Sequence, residues 1–325
     1  MVAIALLGAA LAAPIATDPW ATDVRGDAGT DPIMNGVEEL EHPAAVGLGL
    51  DGLGVTICSG SLITPELVLT AAHCTADFPD ELVTAIGVAF FGTRPLESDT
   101  RPIAEVLVHP DYLRLETDGS TLGENDVALI RLGEPADVDP VWFREARFTD
   151  DDVEGTTVVS VGWGVDENDV SYVKRSAELV IDELDPMFLI SRANKNPNST
   201  SICSGDSGGP QYEVQPDGSL LQWSVHSWAS SRCQGESGSV RTDVVADWIL
   251  GHVADIHGAP DRCTAWGQYG DGVCDTDCVD PDPDCPRAYA AAQDRDGTAS
   301  TQGFAGAGCS SASRPVDWLG WLARR

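Results

Sequence analysis

The chain has 325 residues, 42% of them hydrophobic, so it is long enough to bury the core of one large domain or of two smaller ones. Its 52 acidic and 19 basic residues give a formal net charge of −33 at pH 7. Nucleic acids and anionic membrane surfaces would repel such a chain, so neither is expected as a partner, and the charge indicates a strongly solvated surface.

The first 32 residues are predicted to be removed from the mature protein. Residues 2–13 form a short, alanine-rich apolar run that ends in small residues, as a secretory signal peptide does. Residues 17–32 are polar and rich in Asp, Thr and Gly, which is typical of an unstructured propeptide. A secreted or cell-surface protein is therefore expected, whose nine cysteines would enter an oxidising compartment and pair there.

From residue 33 onward, short apolar segments alternate with Gly, Pro and Asp. This pattern predicts regularly spaced strands and favours an all-β barrel or sandwich. A helix follows, with Thr242 or Asp243 as its cap, and it is predicted to stop at Gly258. Residues 259–325 differ in composition and are predicted to form a separate tail. The predicted strand segments are Ala44–Leu50, Ser61–Thr70, Ile103–Val108, Val127–Leu132, Thr156–Gly162 and Leu220–Ser227.

Three motifs contain the groups that nucleophilic catalysis needs. His73 lies in Thr-Ala-Ala-His-Cys, Asp126 precedes an apolar Val-Ala-Leu-Ile segment, and Ser207 lies in Gly-Asp-Ser-Gly-Gly-Pro. A serine hydroxyl becomes an effective nucleophile when an imidazole removes its proton, and a buried carboxylate orients that imidazole. The α/β-hydrolases share a Gly-x-Ser-x-Gly motif, but their serine precedes the acid and the histidine. They also need repeated strand and helix alternation, which is not visible here, so this alternative is disfavoured.

In these motifs and their order, the sequence resembles the chymotrypsin-like serine endopeptidases from about residue 33 to about residue 258. The resemblance implies two six-stranded antiparallel β-barrels and a C-terminal helix, with residues 33–258 as the protease domain. It also implies that His73, Asp126 and Ser207 form a catalytic triad that hydrolyses peptide bonds through an acyl-enzyme. Protein or peptide substrates are the expected partners, and no cofactor or metal is expected.

Other roles follow from the same resemblance. The backbone N–H groups of Gly205 and Ser207 are expected to form the oxyanion hole, which stabilises the negative charge of the tetrahedral intermediate. Two disulfides are also implied, one around the histidine and one between the walls of the substrate pocket: Cys58–Cys74 and Cys203–Cys233.

The resemblance also indicates the pocket for P1, the substrate residue before the cleaved bond. Ser201 falls at the base of this pocket, where an Asp would select Lys or Arg. Ala229 and Ser239 are expected on its walls, and Ser227 and Trp228 on the segment that lines it and pairs with the substrate backbone. Because the base carries no acid, small or medium uncharged P1 side chains are predicted.

Ile33 begins a segment, Ile-Met-Asn-Gly, that resembles the amino terminus exposed when family members lose their propeptide. In that mechanism the new ammonium group, here of Ile33, pairs with the acid before the nucleophile, here Asp206. The resemblance therefore predicts a zymogen that an activating protease converts. Asp31 and Pro32 stand where a basic residue is usual, so the predicted activator is not tryptic.

The tail combines cysteines with many Asp residues. Oxygen-rich loops suit calcium, but residues 280–284 lack the glycine and glutamate of a calcium hand, so a solvated, disulfide-stapled spacer is preferred. Residues 308–325, with a leftover Cys309, resemble a shortened sorting tail of Gram-negative surface proteins. Surface attachment through this tail and a frayed terminus both stay open. Four cysteines could form two disulfides of undetermined pairing: Cys263, Cys274, Cys278 and Cys285.

The sequence thus predicts a secreted serine endopeptidase made as a zymogen. The alternative is a catalytically silent, protease-like binding or adhesion protein, which the unusual junction before Ile33 keeps open.

Overall fold

The computed structural model describes residues 33, 35–50, 53–76, 88–117, 120–164, 173–193, 199–230, 233 and 235–286. The chain divides into two compact units, with the boundary between Ile249 and Leu250 inside the helix Thr242–His257. The predicted signal peptide and propeptide, residues 1–32, lie outside the described residues, as does the end of the predicted tail, residues 287–325.

The first half of the first unit is a closed antiparallel barrel of six strands, which are, in order around the barrel, β2 Ala45–Leu50, β3 Val55–Thr64, β4 Leu67–Thr70, β9 Ala128–Leu132, β6 Asp99–Val108 and β5 Val88–Phe91. Apolar side chains such as Val46, Leu62 and Ile130 share one face of the strands, fill its interior and are almost completely buried. The single segment predicted at Ser61–Thr70 is divided in the structure, because Pro65 and the next residue form a turn between β3 and β4.

The second half forms an antiparallel sheet of eight strands, which are, in order across the sheet, β1 Val37–Glu38, β11 Arg175–Val180, β10 Thr157–Gly162, β14 Pro210–Val214, β15 Leu220–Ala229, β16 Glu236–Arg241, β13 Phe188–Arg192 and β12 Glu183–Leu184. Its outermost strands, β1 and β12, have only two residues each. The predicted all-β fold is confirmed, since the first predicted barrel is closed and the second corresponds to the six longer strands of this sheet. A separate hairpin is formed by β7 Leu113–Thr117 and β8 Ser120–Glu124.

Large aromatic side chains join the barrel to the sheet. Trp163 is buried against Phe90 of the barrel, and Tyr212 is buried with its hydroxyl 2.7 Å from Ser61 Oγ. Gly47 permits this approach, because a Cβ there would lie 2.9 Å from the Trp163 ring. Burial of one such side chain stabilises a fold by roughly 1.5 to 3 kcal/mol. This packing brings the ends of the barrel strands next to the loops of the sheet.

The helix Thr242–His257 confirms the predicted C-terminal helix. The two residues predicted as its cap have other partners: the Thr242 hydroxyl donates to Arg144 O at 2.9 Å, and the Asp243 carboxylate accepts from Phe148 N and pairs with Arg241. These contacts fix the start of the helix to the sheet. None of the helices in the described part of the chain could cross a bilayer. The short helices are His73–Ala76, Asp150–Val153 and Arg262–Trp266, with a 3₁₀ turn at Pro95–Glu97.

The second unit contains a small disulfide-bonded segment after the helix. The carboxylate of Asp282 is buried and accepts hydrogen bonds from the amides of Gly270, Asp275 and Asp284. This acid therefore holds three loop amides in place in a segment too short to bury an apolar core of its own. Two disulfides resolve the pairing that the sequence left open: Cys263–Cys278 and Cys274–Cys285.

Candidate active site

The turn that carries Ser207 depends on its glycines. Gly205 and Gly208 have φ values of +92° and +82°, a region that other residues rarely adopt. There is also no space for side chains, because a Cβ on Gly205 would lie 2.7 Å from Gly164 Cα and one on Gly208 would lie 2.9 Å from Ala71 N. Ser207 itself remains partly exposed. The turn therefore presses against the barrel while it leaves the serine accessible.

His73 and Asp126 form a short, oriented pair. The Asp126 carboxylate lies 2.7 Å from His73 Nδ1 and also accepts the His73 backbone N–H at 2.8 Å. Ser227 Oγ donates a third hydrogen bond to it at 2.6 Å. Burial by itself would raise the pKa of Asp126, but the charge of His73 and these three hydrogen bonds hold the pKa below its ordinary value. Asp126 is thus a buried carboxylate that orients the imidazole.

The Ser207 turn is attached to the segment that carries His73. The amide of Ser59 donates to Ser207 O at 2.8 Å, and Cys74 Sγ lies 3.6 Å from the same carbonyl oxygen. Cys58 and Cys74, which flank Ser59 and His73, are joined by a disulfide. The structure thereby brings the loops of all three predicted triad residues to one place.

The turn that carries Ser207 has two backbone donors with no acceptor among the described residues. In the part of the chain that the structure describes, the N–H groups of Gly205 and Ser207 donate to no acceptor, whereas those of Asp206, Gly208 and Gly209 all do. A buried or partly buried N–H group normally has a partner. Two such amides beside a serine hydroxyl are donors of the kind that can bind an oxyanion.

Asp206 points away from this side of the turn into the interior. Its carboxylate is fully buried and accepts hydrogen bonds from the nitrogens of Ile33, Cys203 and Gly164, at 3.0, 2.8 and 2.9 Å. Burial raises the pKa of Asp206 to about 6 in spite of these donors. The Ile33 side chain is also completely buried and packs with Trp223 in the core of the sheet. The structure therefore brings together the two residues that were predicted to act in activation.

The residues predicted for the P1 pocket lie on neighbouring segments. Ser201 and Ser239 are buried, whereas Trp228 and Ala229, at the end of β15, are half-buried. The Ser227 hydroxyl has a further partner that the sequence did not indicate, because it donates to Asp126 and so supports the acid directly. A disulfide joins Cys203, two residues after Ser201, to Cys233, which lies between β15 and β16.

His226 adjoins the Ser207 turn, and sequence reasoning assigned it no role in this type of site. Its carbonyl accepts from Gly208 N and its amide donates to Gly209 O, both at 2.8 Å. The ring is fully buried, with Nδ1 3.1 Å from Ser239 Oγ, and its Nε2 has no hydrogen-bond partner in the described structure. Burial lowers the pKa of His226 to about 3, so the imidazole is neutral.

One group of potential metal ligands lies at the site, among the residues that the structure describes. It consists of Cys58, His73 and Cys74. The two sulfurs are joined in a disulfide and cannot act as thiolate ligands, so this group does not form a metal site.

Comparison with known proteins agrees with this geometry. The sequence matches the Trypsin family model over residues 34–249, which is well over half of its 325 residues. The chain belongs to the trypsin-like serine protease family. It is 27% identical over 236 residues to vitamin K-dependent protein C of Oryctolagus cuniculus, which covers 65% of this chain and 50% of that protein. It is 28% identical over 225 residues to coagulation factor XII of Bos taurus, with coverage of 61% and 36%.

These relatives are longer proteins, since the chain spans half or less of the length of each. The matched region in this trypsin-family chain contains the three motifs, the barrel and the sheet. The disulfide-bonded segment at residues 263–285 lies beyond the match.

Proposed function

We propose that this protein is a serine endopeptidase that acts through an acyl-enzyme. Ser207 Oγ attacks the peptide carbonyl carbon while His73 Nε2 accepts the hydroxyl proton, which gives a tetrahedral oxyanion. The C–N bond then breaks and His73 returns the proton to the leaving amine. Water hydrolyses the remaining ester by the same steps, with His73 again as base and then as acid. The free amides of Gly205 and Ser207 are the proposed donors to the oxyanion.

The observation that carries this proposal is the environment of Asp126. A carboxylate this deeply buried is costly unless it is paired and hydrogen-bonded, and here all three donors belong to His73 and Ser227. Such an arrangement holds one imidazole tautomer, with Nδ1–H toward Asp126 and Nε2 available as a base. A buried acid with no catalytic role would not need to hold the His73 imidazole in this orientation.

Hydrolysis of a quenched fluorescent peptide library tests the proposal. The chain that begins at Ile33 should cleave some members of the library, and the same chain with Ser207→Ala should cleave none. If neither chain cleaves any peptide, the alternative of a silent, protease-like binding or adhesion protein is supported instead. The Asp31-Pro32 junction, which lacks a basic residue, is the observation that favours that alternative.

We further propose that the protein is made as a zymogen. Cleavage before Ile33 by an activating protease would convert a neutral nitrogen into an ammonium group, 3.0 Å from the buried Asp206 carboxylate. The attraction between the two charges would lower the pKa of Asp206 and hold the turn that carries Gly205 and Ser207. The uncut chain should therefore be much less active than the cut chain.

For the substrate, we propose small or medium uncharged P1 side chains. Ser201 provides no negative charge for Lys or Arg, and Ala229 and Ser239 are the proposed wall residues. For the location, we propose secretion or the cell surface, because the chain forms four disulfides, which persist in oxidising compartments.

A further inference from the structure

The hydroxyl of Ser59 connects three segments that are distant in the sequence. Ser59 lies in β3 and is fully buried; its Oγ donates to Gly205 O and accepts from Trp163 N, both at 2.9 Å. Its own amide donates to Ser207 O at 2.8 Å. One barrel residue therefore holds the backbone on both sides of Asp206, through its side chain on one side and its main chain on the other.

Gly205 is the part of the turn that most needs such support. Glycine lacks the Cβ that restricts rotation, so its φ and ψ angles are freer than those of any other residue. The Ser59 hydrogen bond fixes the Gly205 carbonyl and so limits ψ, and the close approach of Gly164 limits movement on the opposite side. The Gly205 N–H is separated from this held carbonyl only by the Gly205 Cα, so fixing the carbonyl reduces the ways in which the N–H can turn before any substrate binds.

We propose that Ser59 is a positioning residue for peptide hydrolysis, which keeps the Gly205 N–H directed at the developing oxyanion. The inference rests on the proposed peptidase function. Donors that are already oriented need no reorganisation in the transition state, which is where this type of stabilisation acts. The hydroxyl should therefore affect the chemical step more than the binding of substrate.

Ser61 provides a matched control on the same strand. It is also fully buried, and its Oγ makes one short hydrogen bond, to the Tyr212 hydroxyl at 2.7 Å. Replacement of either serine by alanine removes one buried hydroxyl from β3. Only the Ser59 hydroxyl contacts the turn that carries Ser207, so a general loss of stability would be shared by both variants while a positioning effect would not.

The experiment compares kcat, KM and thermal stability of S59A, S59T and S61A in the chain that begins at Ile33. In S59A we expect kcat to fall about tenfold and KM to stay within about twofold, as expected for one hydrogen bond that acts in the transition state. A peptide aldehyde, whose tetrahedral adduct places an oxyanion in the hole, should bind weaker by the same factor, whereas a product peptide should not. S59T keeps the hydroxyl and should recover most of kcat, and S61A should keep kcat.

Several results would overturn the inference. An S59A variant that keeps the wild-type kcat, or that weakens aldehyde and product peptide equally, contradicts a positioning role for Ser59. If S59A does not fold, Ser59→Gly removes the same hydroxyl and carries the same expectation. An inactive wild-type chain would contradict the proposed function and this inference together, whereas an active wild type with a fully active S59A contradicts this inference alone.

Discussion

Replacement of Asp206 by Asn should change how the stability of the uncut chain depends on pH. Asp206 is fully buried, and its hydrogen-bond donors in the structure are three backbone nitrogens, those of Gly164, Cys203 and Ile33. No cationic side chain contributes to its pKa, which burial raises from the ordinary 3.8 to about 6.

The sign of the effect follows from which state binds the proton more tightly. Between pH 3.8 and about pH 6 the folded chain keeps a proton on Asp206 that the unfolded chain has released. Stability from this group is therefore highest below about pH 4 and decreases as the pH rises to about 6. A difference of about two pKa units corresponds to a loss of about 3 kcal/mol in the free energy of unfolding.

Urea unfolding of the uncut chain between pH 4 and pH 7 measures this loss. Ser207→Ala in every sample prevents self-cleavage, and the free energy of unfolding is compared with and without Asp206→Asn. The other carboxylates titrate alike in the two chains, so the difference between their free energies of unfolding reports on Asp206 alone. It should change by about 2.5 kcal/mol between pH 4 and pH 7, because part of the full loss has already occurred at pH 4, with the chain that retains Asp206 losing stability relative to the Asn variant as pH rises. Asp217→Asn is the control. Hydrogen bonds from Ser219 lower the pKa of Asp217 to below this pH range, so the effect of Asp217→Asn on the free energy of unfolding should not change with pH.

The reasoning would be refuted if the effect of Asp206→Asn on the free energy of unfolding did not change with pH, or if it changed in the opposite direction. The chain cut before Ile33 gives a second check. Its ammonium group should lower the pKa of Asp206, so the stability of the cut chain should no longer decrease as the pH rises through this range.

Three further outcomes are expected in the activated chain. Asp126→Asn should lower kcat by roughly 10³- to 10⁴-fold with little change in KM, because the amide favours the wrong tautomer of His73; steady-state kinetics that show less than a tenfold loss would contradict this role. Ser227→Ala removes one of three donors to Asp126 and should lower kcat about tenfold, while an unchanged kcat would make that hydrogen bond dispensable. In a panel of matched peptides, cleavage after Ala, Val, Leu or Phe should be faster than after Arg, and the reverse order would exclude the proposed pocket.

Much of the fold could be predicted from the sequence because the signals are local. Short apolar segments bounded by Gly, Pro and Asp indicate strands whatever their partners are, and every segment predicted as a strand overlaps at least one strand of the structure. The motifs around His73, Asp126 and Ser207 are equally local. The division of Ser61–Thr70 into two strands was missed because its apolar pattern outweighed the turn signal of Pro65.

Other parts of the site depend on contacts that no local pattern encodes. The Ser59 hydroxyl reaches Gly205, 146 residues away, and the Ser227 hydroxyl reaches Asp126, 101 residues away. Serine is common in strands and turns, so neither the residue type nor the sequence position of Ser59 or Ser227 indicates its distant partner. In the tail, four cysteines allow three pairings, and only the three-dimensional arrangement selects one.

Covalent labelling of Ser207 by a fluorophosphonate tests the central claim most directly. The chain that begins at Ile33 should gain one phosphonyl group, located at Ser207 by peptide mapping, while His73→Ala should abolish the label and the uncut chain should react much more slowly. Absence of the label from the cut chain, or a label on another residue, would contradict an active His73, Asp126 and Ser207 site.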